Sequence, residues 1–157
     1  MTINIDKILL ELDSIPKFDT QISIQGVLEN RDPLYGTGKL AKLKHTEEEF
    51  TIPNFSGLVY TNYVLEKLGM YRTRLMNLKP KTCYSYHRDL TVRLHIPLTT
   101  NDSCFFVIDD EVIRYPADGN YYIVDTRKMH TAVNTSYENR LHLVGCIDHL
   151  DPYIQLN

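Results

Sequence analysis

The sequence contains no tryptophan, only three cysteines and no long apolar run. The cysteines, Cys83, Cys104 and Cys146, are odd in number, widely spaced and without a CxxC pair. Such usage is typical of a reduced cytosolic protein rather than of a disulfide-rich secreted one. All three fall within strand-like segments, so we predict buried, inert thiols.

Three further absences narrow the function classes. A stretch of about 18 apolar residues, the length that a membrane-spanning helix needs, does not occur. The opening segment MTINIDKILLELDSIPKF lacks the basic and apolar regions of a signal peptide, and its acidic residues disfavour a transit peptide. The formal net charge of −3 leaves no basic excess to attract nucleic acid. A cytoplasmic protein without a membrane or nucleic-acid partner is predicted.

The length of 157 residues is that of one domain, and no repeat or linker divides the chain. In the first 70 residues, apolar residues at helical spacing predict a helix over 4–12, and a second helix over 61–68 ends at the glycine that follows. Alternation over 21–28 predicts a strand. Turn residues predict a loop at 30–38, and the charged segment 44–50 is expected to be solvated.

From residue 71 onward the pattern changes to short strand-like runs separated by turn signals. Such a pattern is typical of a β-sandwich or barrel. The chain is therefore predicted to be one mainly β domain over 1–157, with its core at about 71–148 and flanking helices and strands in 1–70. The predicted strands are 71–78, 83–87, 91–98, 104–108, 111–115, 121–125, 130–134 and 140–147.

The run 91–98 places apolar residues on one face and the polar pair Arg93 and His95 on the other, because alternate residues of a strand share a face. If the polar face is solvated, the pair needs no explanation. If that face points into a barrel, an arginine and a histidine are held in the interior for a purpose.

His87 and Asp89 stand two residues apart, so in an extended segment their side chains project together. With a second histidine, for which His130 is the candidate, they would form the two-histidine, one-carboxylate triad of non-haem Fe(II) oxygenases. The alternative is a surface histidine beside a solvated aspartate. Arg140 begins an apolar strand and has the planar fork that holds a carboxylate such as that of 2-oxoglutarate; the alternative is a strand-edge surface arginine.

Six short motifs follow one another along the chain in the order LKP, HRD, RLHIPL, GNYYIVDT, HTAVN and RLHLV. In that combination residues 74–148 resemble the catalytic core of the aspartyl/asparaginyl β-hydroxylase family, and they are similar to bacterial free-proline hydroxylases. The resemblance implies a double-stranded β-helix, a jelly-roll or cupin-like barrel. It also implies Fe(II) at the His87, Asp89 and His130 triad, with dioxygen and 2-oxoglutarate as cosubstrates.

The resemblance further implies roles for the cosubstrate-binding residues. Arg140 would hold the distal carboxylate of 2-oxoglutarate, and His95 would lie near its iron-side carboxylate. Arg93 would face cosubstrate or substrate. Animal members have glycine where Asp89 stands and a serine near the distal carboxylate where Met76 stands, so this chain is closer to the bacterial members, and Arg74 or Asn77 is a candidate for the missing donor.

A buried Arg93 needs an anion, because an unpaired internal charge is costly. With Arg140 and His95 assigned to the cosubstrate, we predict that Arg93 meets a carboxylate of the substrate. The alternative is internal pairing with Asp89, Asp125 or Glu138. His142 shares the parity of Arg140 and is a second pocket candidate, whereas the aromatic residues, Tyr84 among them, are assigned to core packing.

The sequence thus predicts an Fe(II)- and 2-oxoglutarate-dependent hydroxylase acting on an amino acid, a peptide side chain or a small metabolite. One alternative is a non-catalytic barrel of the same fold that binds a small ligand or a partner. Another is a cupin-like isomerase or binding protein that uses a different divalent metal, because ligand affinity alone does not select iron. The substrate and the oligomeric state are left open.

Overall fold

The computed structural model describes residues 2–40 and 43–148. Helix α1 covers Ile5–Leu12, and the side chain of Asn4 caps it by accepting a hydrogen bond from the Lys7 N–H. Helix α2 covers Val59–Lys67 and is followed by Gly69, whose φ of 61° lies in the left-handed region. The two predicted helices are confirmed to within two residues. No helix in the part of the chain that the structure describes is long and apolar enough to cross a membrane.

The described residues form eleven strands in antiparallel sheets. They are β1 Gln21–Ser23, β2 Gln25–Gly26, β3 Ile52–Pro53, β4 Tyr71–Leu78, β5 Thr82–Cys83, β6 Arg93–Thr99, β7 Cys104–Ile108, β8 Glu111–Ile113, β9 Tyr122–Val124, β10 His130–Asn134 and β11 Arg140–Cys146. A five-stranded sheet has the order β1-β4-β11-β6-β9, and a four-stranded sheet has the order β5-β10-β7-β8. Strands β2 and β3 form a separate ribbon.

From β4 onward the chain passes back and forth between the two larger sheets. β4, β6, β9 and β11 belong to the five-stranded sheet, and the strands between them belong to the four-stranded sheet. Every pairing is antiparallel. This alternation is that of a double-stranded β-helix, and it confirms the predicted mainly β jelly-roll fold with flanking N-terminal helices.

The two faces of the five-stranded sheet have different surroundings. Leu94 and Ile96 of β6 join Leu75, Leu143 and Ile8 in a large apolar cluster that includes residues of both helices. Arg93 and His95, on the opposite face of β6, are also buried, at 3% and 5% exposure. The helices therefore cover the apolar face, and the polar pair points into the barrel, which answers the question left open by the sequence.

Three expectations were wrong in part. The strand predicted over 21–28 is split into β1 and β2, because the Ser23 N–H bonds to Pro33 O and the Ile24 N–H to Thr73 O. The strand predicted over 83–87 is short, and only an isolated bridge between His87 and His130 continues it. Cys83 is exposed, although Cys104 and Cys146 are buried as expected.

The segment 44–50 is not a solvated stretch. It contains a 3-10 turn over Glu47–Glu49, and Glu47 is only 8% exposed. The turn places this carboxylate against buried arginines of the barrel, which supply the partners that an internal carboxylate requires. Its neighbours Glu48 and Glu49 are exposed, as the sequence predicted for the whole segment.

Candidate metal centre

The structure brings His87, Asp89 and His130 together at one end of the barrel. The backbones of His87 and His130 exchange two hydrogen bonds, of 3.0 Å and 2.9 Å, so the segment that follows β5 lies beside the start of β10. The Asp89 N–H bonds to Thr126 O at 2.8 Å and fixes the next turn. One potential ligand atom from each side chain lies within 4.8 Å of the others, which is the spacing of a shared metal ion.

Backbone contacts orient both imidazoles of this cluster. His87 Nδ1 lies 2.6 Å from Ser85 O, and His130 Nδ1 lies 3.0 Å from Lys128 O. A carbonyl oxygen only accepts, so each Nδ1 carries a proton, and in the neutral form of each ring Nε2 presents the lone pair. Holding the second ring nitrogen in this way is the usual arrangement of a metal-binding histidine. The donor set therefore fits a divalent cation.

Asp89 is held by Arg93. Its Oδ2 accepts from Arg93 Nε at 3.1 Å, and its Oδ1 lies 3.6 Å from His87 Nε2. Arg93 also donates to Glu47, from Nη1 to Oε2 at 3.2 Å and from Nη2 to Oε1 at 2.7 Å. All three nitrogens of this guanidinium are thus engaged within the protein.

The prediction that Arg93 binds a carboxylate of the substrate assumed that Arg93 has no anion within the protein. Asp89 and Glu47 are such anions. The alternative, pairing of Arg93 within the protein, describes the structure, because Arg93 forms a salt bridge with Asp89, one of the three partners considered. Glu47, the second partner, was not considered. Asp125 pairs with Arg127 on the surface, and Glu138 lies near Asn101.

Glu47 is the centre of a buried ionic cluster. Besides Arg93 it forms a salt bridge with Arg72 and accepts from Thr91 Oγ1 at 2.6 Å. Burial alone would raise the pKa of Glu47, but the hydrogen bond and charge of Arg93, with help from Thr91 and Arg72, lower it to about 2. The carboxylate is therefore ionised at neutral pH and balances two arginines.

Arg140 lies deeper in the barrel and has no such partner. It is 2% exposed, and its Nε and Nη1 have no hydrogen-bond partner among the described residues. Its guanidinium carbon lies 5.1 Å from the centre of the Phe106 ring. Burial lowers the pKa of Arg140 to about 10, so the side chain stays cationic at neutral pH. A buried cation without a counter-charge is the mark of an anion site.

Tyr84 adds a second unused donor near this cation. Its hydroxyl is buried and has no hydrogen-bond partner among the described residues. The charges of Arg140 and Arg74 act on it, although burial is the larger influence and raises the pKa of Tyr84. The sequence assigned this residue to core packing, and its buried hydroxyl is a feature that the strand pattern does not reveal.

Two neutral histidines are buried close to Arg140. His95 Nδ1 and His142 Nδ1 are 3.4 Å apart, and both rings are buried. Burial, with the nearby charge of Arg140, holds the pKa of each well below its ordinary value. His142 lies on the inner face as its parity with Arg140 predicts.

A cavity of about 740 Å³ borders the metal-binding cluster, the Glu47 cluster, Tyr84 and Arg140. Among the residues around it are His87, Asp89, His130, Arg74, His95 and Arg140. Of the two residues considered as substitutes for the serine donor, Arg74 lines the cavity, whereas the Asn77 amide donates to Asp19 O at 3.0 Å. Glu47 and Tyr84 were missed as site residues. The one related signal was the Thr46 and Glu49 capping box, which marks the turn but not the buried carboxylate.

Comparisons with known proteins agree with the family resemblance. The model of the aspartyl/asparaginyl beta-hydroxylase family matches residues 19–150. No curated protein is significantly similar in sequence.

Several solved structures are similar to about half of this chain. A protein of Photorhabdus luminescens is 20% identical, with 48% of this chain and 61% of that chain covered and a TM-score of 0.42. A cupin superfamily protein of Desulfitobacterium hafniense is 15% identical, with coverages of 49% and 67% and a TM-score of 0.39. A cupin domain of Bordetella pertussis is 15% identical, with coverages of 50% and 81% and a TM-score of 0.43. Likenesses this distant carry no argument about this chain.

Proposed function

The chain belongs to the aspartyl/asparaginyl β-hydroxylase family, and on this premise we propose that it is an Fe(II)- and 2-oxoglutarate-dependent dioxygenase. Its substrate would be an amino acid, a peptide side chain or a small metabolite. One observation carries the proposal: a single cavity contains a histidine–aspartate–histidine cluster and, further in, the unpaired buried cation Arg140. A metal site next to a carboxylate site is what 2-oxoglutarate requires.

His87, Asp89 and His130 would hold the iron. Two imidazole nitrogens and a carboxylate are the protein ligands of non-haem Fe(II) oxygenases, and they leave positions for cosubstrate and dioxygen. The free Nε2 lone pairs and the oriented carboxylate support this assignment. Arg93 would act on the metal indirectly, because it holds the carboxylate of Asp89, and Glu47 in turn holds Arg93.

Arg140 would bind the distal carboxylate of 2-oxoglutarate with its unused nitrogens. We assign the Tyr84 hydroxyl as the second donor, in place of the serine for which this chain has Met76. His95 would donate to the iron-side carboxylate. If the His142 Nδ1–H donates to His95 Nδ1, the proton of His95 is on Nε2, where it is available to a ligand.

When bound, iron and 2-oxoglutarate supply the oxidising power: dioxygen gives one oxygen atom to a substrate C–H and one to succinate, with release of CO2. The protein residues position these groups. Phe106 and Val144 contribute apolar surface to the wall of the cavity. No side chain needs to act as a general base in this scheme.

Succinate production tests the proposal. The purified protein, freed of metal and reconstituted with Fe(II) under nitrogen, should form succinate only after both 2-oxoglutarate and air are added. Mn(II), Ni(II) or Co(II) should not replace iron in turnover. The His130→Ala protein serves as the matched control for background oxidation. If the Fe(II) protein forms no more succinate than this control, a non-catalytic or other-metal function is correct instead.

A further inference from the structure

His142 lies on the inner face of β11, two residues after Arg140, and the proposed function leaves its role open. The residue is 1% exposed. Its Nδ1 lies 3.4 Å from Nδ1 of His95, with the two rings edge to face and their centroids 5.7 Å apart. Its Nε2 is buried without a hydrogen-bond partner among the described residues. His95 is therefore the polar group through which His142 can act on the cavity.

The contact between the two Nδ1 atoms needs one donor and one acceptor. Burial, followed by the charge of Arg140, holds the pKa of both histidines well below the ordinary value, so both rings are neutral at neutral pH. A neutral imidazole carries its proton on one nitrogen only. The ring that donates from Nδ1 therefore has a bare Nε2, and the ring that accepts carries its proton on Nε2.

The surroundings of the two Nε2 atoms distinguish the donor from the acceptor. If His95 donated, the proton of His142 would be on Nε2, where a buried N–H has no acceptor among the described residues. Such orphaned N–H groups are rare in native proteins, because the cost of removing them from water is not recovered. If His142 donates, its buried Nε2 keeps only a lone pair. The proton of His95, which lines the cavity, is then on the ring nitrogen that remains for a ligand.

The ligand that the proposed function places next to His95 favours the same arrangement. A carboxylate only accepts hydrogen bonds, so an N–H of His95 binds it and a lone pair repels it. We infer that His142 is a positioning residue: its Nδ1–H donates to His95 and holds the proton of His95 on Nε2, where it meets the carboxylate. This inference rests on the proposed function for the ligand, 2-oxoglutarate, whereas the positions of the two protons do not depend on that ligand.

NMR of the histidine nitrogens tests the proton positions directly, because protonated and bare imidazole nitrogens have widely separated chemical shifts. The full chain is measured at neutral pH without 2-oxoglutarate, with diamagnetic Zn(II) in place of Fe(II). The His142→Asn and His95→Gln proteins assign the signals. His142 should be protonated on Nδ1 and bare on Nε2, and His95 should show the reverse. A proton on Nδ1 of His95 in the wild type overturns the inference.

Three variants of His142 test the consequence for binding. Asparagine places an amide N–H where the imidazole has Nδ1–H, glutamine places it near Nε2, and phenylalanine keeps a ring without a donor. Calorimetry of the Fe(II) proteins under nitrogen measures the affinity for 2-oxoglutarate. We expect nearly wild-type affinity in His142→Asn and a loss of about 2- to 10-fold in His142→Gln and His142→Phe, the size of one neutral hydrogen bond.

The order of the variants separates this role from simple packing. A packing role predicts the opposite order, because phenylalanine fills the site and asparagine leaves a gap. That order, or the same affinity in all three variants, overturns the inference. Failure of the proposed function is a different result: the wild-type protons are placed as stated, but the Fe(II) protein does not bind 2-oxoglutarate.

Discussion

Glu47 and Arg93 are joined by two hydrogen bonds, of 3.2 Å and 2.7 Å, across 46 residues of sequence. The pair attaches the N-terminal segment to the inner face of β6. Since Arg93 also donates to Asp89, the orientation of a candidate metal ligand depends on a residue that precedes the catalytic core. The N-terminal part of the chain therefore contributes to the site as well as covering the sheet.

Glu47→Gln should destabilise the protein by about 3 kcal/mol, because it leaves Arg72 and Arg93 buried without their shared counter-charge. Urea unfolding monitored at neutral pH measures the change. Glu48→Gln, in the same turn but exposed, should alter stability by less than about 0.5 kcal/mol. Equal stability of the two variants would show that the buried cluster is unimportant for folding.

The low pKa of Glu47 predicts that the free energy of unfolding decreases in acid. The pKa of Glu47 is about 2 in the folded protein against an ordinary value of 4.5, so protonation favours the unfolded state. Its contribution is complete above about pH 4.5 and is lost as the pH falls towards 2, in total roughly 3 kcal/mol. Unfolding free energies measured between pH 6 and 2.5 should decline less steeply in Glu47→Gln. If the free energy of unfolding depends on pH in the same way in wild type and in Glu47→Gln, the low pKa of Glu47 is wrong.

His130→Ala should abolish high-affinity Fe(II) binding and turnover, because two remaining ligands hold a labile divalent ion poorly. The fold should persist, since the backbone bonds between His130 and His87 do not need the ring. Asp89→Ala should be milder for binding and severe for turnover. Anaerobic calorimetry measures the affinity, with His45→Ala as a histidine control outside the triad. Normal iron affinity in His130→Ala would exclude this residue as a ligand.

Arg140→Ala should weaken 2-oxoglutarate binding about 30-fold or more and leave iron bound, because a shielded charged pair is worth about 2–5 kcal/mol. Arg140→Lys should restore only part of the affinity. Tyr84→Phe removes one hydrogen bond to a carboxylate and should cost about 10- to 100-fold. Tyr86→Phe is its control, because the Tyr86 hydroxyl donates to Asp109 O at an exposed site. Unchanged affinity for 2-oxoglutarate in Arg140→Ala would show that another residue binds the distal carboxylate.

The sequence predicted side-chain directions best where all the evidence lay within one extended segment. The alternation in 91–98 predicted that Arg93 and His95 share a face, and the spacing of His87 and Asp89 predicted that they project together. Both depend on the two-residue period of extended chain, which is a property of a few neighbouring residues. The order of motifs added the partners His130 and Arg140, and with them the fold.

The sequence by itself determined most strands from β4 onward and which of their residues share a face, because side-chain parity and turn chemistry act over a few residues. The resemblance to the family supplied the barrel. Only the tertiary structure decided which charges meet. Three adjacent glutamates look alike in sequence, yet Glu47 alone turns inward to Arg72 and Arg93. That choice leaves nitrogens of Arg74 and Arg140 without a hydrogen-bond partner among the described residues. Charge compensation depends on distances between residues far apart in the chain, and those distances exist only once the barrel has closed.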